Sequence, residues 1–167
     1  MRLEGKVIVV TGASAGMGQA MAEVFVKEGA KVVAVARRKE RLDALVDSLK
    51  EGPGEITAYA GDVGKREDNE GMIDFSVKTY GRLDVLVNNA GIMDDNTAIG
   101  DVSDEMIEKL MQVDAIGPMY AMRKAVQVFL DQGDGGNIIN TCSVGAMHQT
   151  AGVAYCAAKA ALTAATK

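Results

Sequence analysis

The sequence predicts an α/β protein: one domain, residues 1–167, built on a doubly wound parallel sheet with helices on both faces. Three observations lead there. Short β-branched runs alternate with helical patterns five times. A glycine-rich turn directly follows the first run, and the other short polar motifs fall at successive strand ends. Alternation of this kind gives parallel strands joined by right-handed crossovers.

The elements follow in order. Lys6–Val10 is a β-branched strand ending at Thr11-Gly12, and Gly16–Glu28 a helix closed by Gly29. Lys31–Ala36 is a second strand. Lys39–Lys50 is an amphipathic helix with Leu42, Leu45, Val46 and Leu49 on one face. Gly52-Pro53-Gly54 breaks the chain before a third strand, Glu55–Ala60. Glu67–Tyr80 is a helix and Leu83–Asn88 a fourth strand. Ser103 is placed to cap a long helix reaching about Leu130, bent at Gly117-Pro118. Asn137–Cys142 is a fifth strand, and Ala151–Lys167 an Ala-rich helix.

Composition narrows the function classes. The chain has 167 residues and a net charge of −5, so no basic field draws in nucleic acid or anionic lipid. No apolar run is long enough to span a membrane, and the N-terminal apolar stretch is too short for a signal peptide. Two cysteines, Cys142 and Cys156, without a metal-type spacing read as reduced thiols of a cytoplasmic protein. With His148 as the single histidine, neither a His-based metal site nor a Ser-His-Asp triad is expected.

Chemistry begins at Thr11-Gly12-Ala13-Ser14-Ala15-Gly16-Met17-Gly18. A strand, a glycine turn and a helix start form a phosphate site: the backbone approaches the anion closely and the helix N-terminus offers free N–H groups. No Lys-Ser/Thr follows, which argues against a P-loop. The spacing is G-x3-G-x-G. In dinucleotide folds an acid about 20 residues on, at the end of the second strand, holds the ribose 2′-hydroxyl. Ala36 stands there, followed by Arg37-Arg38. An acid would repel a 2′-phosphate, whereas guanidinium groups bind it. The plainer reading makes both arginines solvated charges at a helix start. The expected cofactor is NADP(H), with NAD(H) as second choice and Arg37 the preferred phosphate ligand.

Near the C-terminus, Tyr155-x3-Lys159 puts a phenol and an ammonium on one helix face. A nearby cation favours phenolate, so the tyrosine can exchange a proton with a carbonyl or alcohol oxygen. Most Y-x3-K pairs are ordinary surface pairs; here Ser143 precedes Tyr155 by twelve residues, at the end of the fifth strand.

The T-G-x3-G-x-G turn, Asp62-Val63, Asn88-Asn89-Ala90-Gly91, Ser143 and Tyr155-x3-Lys159 together resemble the short-chain dehydrogenase/reductase family. The resemblance implies a Rossmann-like sheet of order 3-2-1-4-5, without the family's last two strands. It implies cofactor contacts from Gly12, Ser14, Ala15, Gly16, Met17, Gly18, Arg37, Arg38, Asp62, Val63, Asn89, Ala90, Gly91, Tyr155 and Lys159. Ser143 becomes the hydrogen-bond partner of the substrate carbonyl, Tyr155 the general acid/base, and Lys159 its activator and a ribose ligand. The implied reaction interconverts a secondary alcohol and a ketone.

Two departures stand out. Asp114 occupies the place of the family's fourth active-site residue, an asparagine. Its main-chain carbonyl can still hold a water, but its carboxylate is expected to offset the pull of Lys159 on Tyr155. The family also continues beyond the last helix with a sixth strand, a substrate-covering segment and a seventh strand. Without them the fifth strand is expected to present an open edge, and a catalytically impaired dinucleotide-binding remnant is the alternative reading. Met93, Met147 and His148 lie on loops where substrate belongs, and the methionines suit a small hydrophobic alcohol or ketone. The long helix and the last helix leave surfaces for a homo-oligomer.

Overall fold

The computed structural model describes residues 1–167. Five parallel strands form one sheet in the order β3-β2-β1-β4-β5. They are β1 (Val7–Thr11), β2 (Lys31–Ala36), β3 (Glu55–Ala60), β4 (Val85–Asn88) and β5 (Asn137–Asn140). The helices are α1 (Gly16–Lys27), α2 (Lys39–Leu49), α3 (Arg66–Tyr80), α4 (Asp104–Met111), α5 (Gly117–Gln132) and α6 (Val153–Ala165). This is the Rossmann-like order implied by the sequence motifs.

β1 is buried along its whole length because helices cover both sheet faces. Side chains alternate across the pleat. Ile8, Val10, Val32 and Ala34 pack with Ala22 and Val26 of α1 and Leu42 and Leu45 of α2. Val9, Val33 and Val35 pack on the other face with Met72 and Ile73 of α3 and Ala121, Ala125 and Phe129 of α5. Each fully buried branched chain contributes roughly 1.5–3 kcal/mol relative to exposure.

Several boundaries differ from expectation: β4 begins at Val85 instead of Leu83, and α6 spans Val153–Ala165 instead of Ala151–Lys167. The long helix is interrupted by a π-helical turn, Gln112–Ile116, rather than bent by its proline. Pro118 lies in the first turn of α5, where an N–H is dispensable. Gly117 lets the helix pass close to the β3–α3 loop, since a β-carbon there would strike the Val63 carbonyl. β5 is also shorter than expected, although the Thr141 N–H still donates to the Asn88 carbonyl at 2.9 Å. β5 pairs only with β4, leaving its outer edge open as anticipated. Ser103 caps α4 as expected, accepting from the Met106 N–H at 3.2 Å.

Strand order reverses between β1 and β4. Chains leave these neighbours toward opposite faces, so a crevice opens at their carboxyl ends. The two expected groups of functional residues lie beside it.

Candidate active site

The glycine turn is shaped by sterics. Gly12 has φ +71, a conformation that suits glycine. A β-carbon on Gly18 would overlap the Gly12 carbonyl, so α1 can begin directly against the turn only with glycine there. Thr11 closes the crevice floor. Its Oγ1 accepts from the N–H groups of Asn89 (2.9 Å) and Ala90 (3.0 Å), and donates to the Val87 carbonyl (3.3 Å). Asn89 Nδ2 donates to the Thr11 carbonyl at 3.1 Å. The ends of β1 and β4 are thereby joined, and Asn89-Ala90-Gly91 runs along the crevice wall. Thr11 was present in the turn motif, but its bridging role depends on the adjacency of β1 and β4.

The crevice holds about 490 Å³. Of the residues expected at a dinucleotide site, Gly12, Ser14, Ala15, Met17, Arg37, Arg38, Asp62, Val63, Asn89, Ala90 and Gly91 line it. Gly16 sits at the exposed start of α1, and Gly18 is buried behind the turn. Arg38 Nη2 donates to Ser14 Oγ at 3.2 Å, bringing the second arginine onto the phosphate turn. Arg37 is exposed on the crevice wall. Asp62 is committed to its own turn, where its Oδ1 accepts from the Gly64 N–H at 2.9 Å. Asn69 braces the same loop by donating to the Val63 carbonyl at 2.8 Å. Lys65 and Lys109 also line the crevice, two cations that sequence reading passed over because neither belongs to a motif.

The second group gathers around α6. Ser143 caps a short 3₁₀ turn, Val144–Ala146, its Oγ accepting from the Gly145 N–H at 3.0 Å. That bond uses a lone pair and leaves the hydroxyl proton free to donate. Tyr155 lies in the first turn of α6 and Lys159 one turn on. Lys159 Nζ is 5.8 Å from the Tyr155 ring centre. The lysine is buried, donates to the Thr141 carbonyl at 3.2 Å and lies 3.2 Å from Asp114 Oδ2. Asp114, fully buried in the π-helical turn, accepts from the Ile92 N–H at 2.9 Å through Oδ1. Burial pushes its carboxyl pKa up; the Ile92 N–H and the Lys159 ammonium pull it partly back, and it remains above the ordinary carboxylate range. Gly91 covers this pair, for a β-carbon there would approach Asp114 Oδ2 to 2.9 Å and Lys159 Nζ to 3.2 Å. Gly91 therefore belongs to both the crevice wall and the lid of the ion pair.

Met93 and Met147 project into solvent from the loops after β4 and β5, and His148 is exposed beside Met147. Asp94 is a residue that sequence reading missed: it is buried, and its carboxylate accepts from the Gly152 N–H at 3.0 Å. No group of three or more His, Cys, Asp or Glu side chains is gathered to hold a metal ion. No helix is long and apolar enough to cross a membrane.

Comparison with known proteins agrees with this arrangement. The family model for short chain dehydrogenases matches residues 6–167. The chain is 40% identical over 166 residues to 3beta-hydroxysteroid dehydrogenase 2 of Eggerthella lenta, covering 99% of this chain and 64% of that protein. It is 36% identical to the 3-oxoacyl-(acyl-carrier-protein) reductase of Thermotoga maritima, covering all of this chain and 68% of that one. The structure of a short chain dehydrogenase from Mycobacterium smegmatis superposes with a TM-score of 0.92 at 37% identity, covering 98% of this chain and 69% of the other. A metagenomic short-chain oxidoreductase in complex with NADP gives 0.92 at 31% identity, over 99% and 75%. The chain thus spans about two thirds of these relatives' length. With its sheet order, strand-end motifs and matched residues in agreement, the chain belongs to the short-chain dehydrogenase family.

Proposed function

We propose that the protein is an NADP(H)-dependent oxidoreductase that interconverts a secondary alcohol and a ketone, with Tyr155 as general acid/base. The observation that carries this reading is the Lys159 ammonium, buried and held beside the Tyr155 ring. A fixed cation at that place sets a positive charge beside the proposed acid/base.

The crevice fits the cofactor. Its glycine turn leaves room for a pyrophosphate at the α1 N-terminus. β2 ends at Ala36 without an acid, and Arg37 and Arg38 line the crevice just beyond it, which supports a phosphorylated cofactor. The NADP complex of the metagenomic relative supports the same preference. When bound, the cofactor supplies or accepts the hydride. In the reductive direction the Ser143 hydroxyl donates to the substrate carbonyl oxygen. As hydride reaches the carbonyl carbon, the C=O π electrons move to oxygen, and Tyr155 Oη gives that oxygen its proton. The resulting phenolate is stabilised by Lys159 until it is reprotonated; oxidation of the alcohol reverses each transfer.

The substrate is a hydrophobic alcohol or ketone. Met93 and Met147 are 61% and 75% exposed on the loops after β4 and β5, and soft apolar side chains suit such a molecule. The names of a steroid dehydrogenase and an acyl-carrier-protein reductase among the relatives support a carbonyl on an apolar body. Both cysteines are free, in keeping with a cytoplasmic setting.

The test is turnover of NADPH with a panel of cyclic and acyclic ketones. Tyr155→Phe is expected to lower kcat by at least about 10²-fold, the scale of a lost general acid, while NADPH binding stays within a few-fold. Equal turnover by the Phe variant would remove Tyr155 from the mechanism.

A further inference from the structure

The loop after β4 grips α6 at two points. The first is Ile92, whose N–H binds Asp114, which in turn pairs with Lys159. The second is Asp94. Its Oδ1 accepts from the Gly152 N–H at 3.0 Å and from the Asn96 N–H at 3.3 Å. Gly152 is the N-cap residue of α6, and Tyr155 lies between it and Lys159.

Several features make the second grip specific. α6 has no side-chain cap of its own and no acidic residue in its first turn. Free N–H groups and a positive dipole end there call for an acceptor and a negative charge. Asp94, 58 positions away in sequence, supplies both from a site only 6% exposed. Its second oxygen is buried without a hydrogen-bond partner, so the carboxylate is held there despite an unsatisfied atom. A β-carbon on Gly152 would overlap the carboxylate, so the fit requires glycine. Asn96, which closes the turn around Asp94, is the one non-glycine residue with positive φ, at 59.

We propose that Asp94 is a positioning residue of the reacting helix: by tying the β4 loop to Gly152, it sets where the first turn of α6 holds Tyr155. This rests on the reading of Tyr155 as the acid/base. Misplacement of a reacting group by about 1 Å costs on the order of 10²-fold in rate, so a cap at this turn bears on chemistry as well as on stability.

The experiment compares the chain with Asp94→Ala, Asp94→Asn and Gly152→Ala, using the ketone that the parent reduces fastest, well below every melting temperature. Asp94→Ala is expected to lower kcat about 10- to 100-fold while KM and NADPH binding move less than about threefold. Asp94→Asn, which keeps an acceptor for both N–H groups, returns to within about threefold of the parent, as Asn and Asp cap equally well. Gly152→Ala reproduces the Asp94→Ala loss, and the double variant is no worse than Asp94→Ala alone, since the two act through one contact. A lower melting temperature with unchanged kcat would make Asp94 a structural cap only and overturn the proposal. So would additive losses in the double variant. Hydrogen exchange gives a readout independent of turnover: Asp94→Ala should speed exchange in residues 152–156 and 92–96 together, and unchanged exchange there also overturns it. If the parent reduces no ketone, the acid/base reading fails, while exchange still decides whether the tie exists.

Discussion

Asp114 and Lys159 meet at 3.2 Å where neither is open to solvent. The Ile92 N–H serves Asp114 Oδ1 and the Thr141 carbonyl accepts from Lys159, while Asp114 Oδ2 is buried without a hydrogen-bond partner and faces only the ammonium's charge. The carboxylate partly neutralises the ammonium it lies against. Asp114→Asn keeps an oxygen for the Ile92 N–H but removes that counter-charge. The pH profile of turnover is then expected to move toward acid relative to the parent's. An unmoved profile would show that the carboxylate has no influence on the relay. Stability gives a second sign. Burial holds the Asp114 pKa above its unfolded value, so its ionisation costs folding free energy as pH rises through the folded value. The parent carries that slope and the Asn variant lacks it. The motif spacing made the substitution of Asp for Asn legible. The dryness of the pair, and the covering Gly91, come from segments far apart in the chain.

The connections between elements are where sequence and structure part most. Short apolar and β-branched runs located all five strands within one or two residues; buried parallel strands carry that composition in β1, β2 and β4, while β3 and β5 lie at the sheet edges. The π-helical turn was not legible. Gln112–Ile116 has an ordinary helical pattern, and its surroundings, the Val63 carbonyl against Gly117 and Lys159 against Asp114, come from distant segments. At the opposite end of the sheet a polar junction ties β1, β4 and α5. The Asp84 carboxylate takes bonds from the Val7 N–H, Lys6 and Arg82, and Gln132 exchanges hydrogen bonds with both backbone groups of Leu83. Burial alone would push the Asp84 pKa up, but these donors outweigh it and hold it below the ordinary range. A depressed folded value gives stability that is complete above the unfolded pKa and lost as pH falls through the folded one. Asp84→Asn should therefore cost about 2 kcal/mol in urea unfolding at neutral pH, and the difference should shrink toward zero once acid has protonated Asp84 in the parent. A pH-independent difference would assign the loss to packing.

At the scale of the molecule, reversal of strand order between β1 and β4 sets the crevice, which the glycine turn, Arg37, Arg38, Asn89, Ala90 and Gly91 line and Tyr155 and Lys159 do not. Glycine turns and strand-end residues are legible because each answers a local constraint. The Asp94–Gly152 tie, the Thr11 bridge and the contributions of Lys65 and Lys109 were not, since each depends on which strand ends become neighbours. β5 leaves one sheet edge open, with Ile139 49% exposed, and this chain spans 64% of its steroid dehydrogenase relative. Cofactor binding is the property most directly written in the residues that are present. The deciding measurement is titration of the chain and of Arg37→Asp with NADPH and with NADH, followed by nicotinamide fluorescence. The parent is expected to bind NADPH at least about tenfold more tightly than NADH, a difference of about 1.4 kcal/mol, and Arg37→Asp to reverse the preference. Binding of neither nucleotide, or a preference unaffected by the substitution, would contradict this expectation.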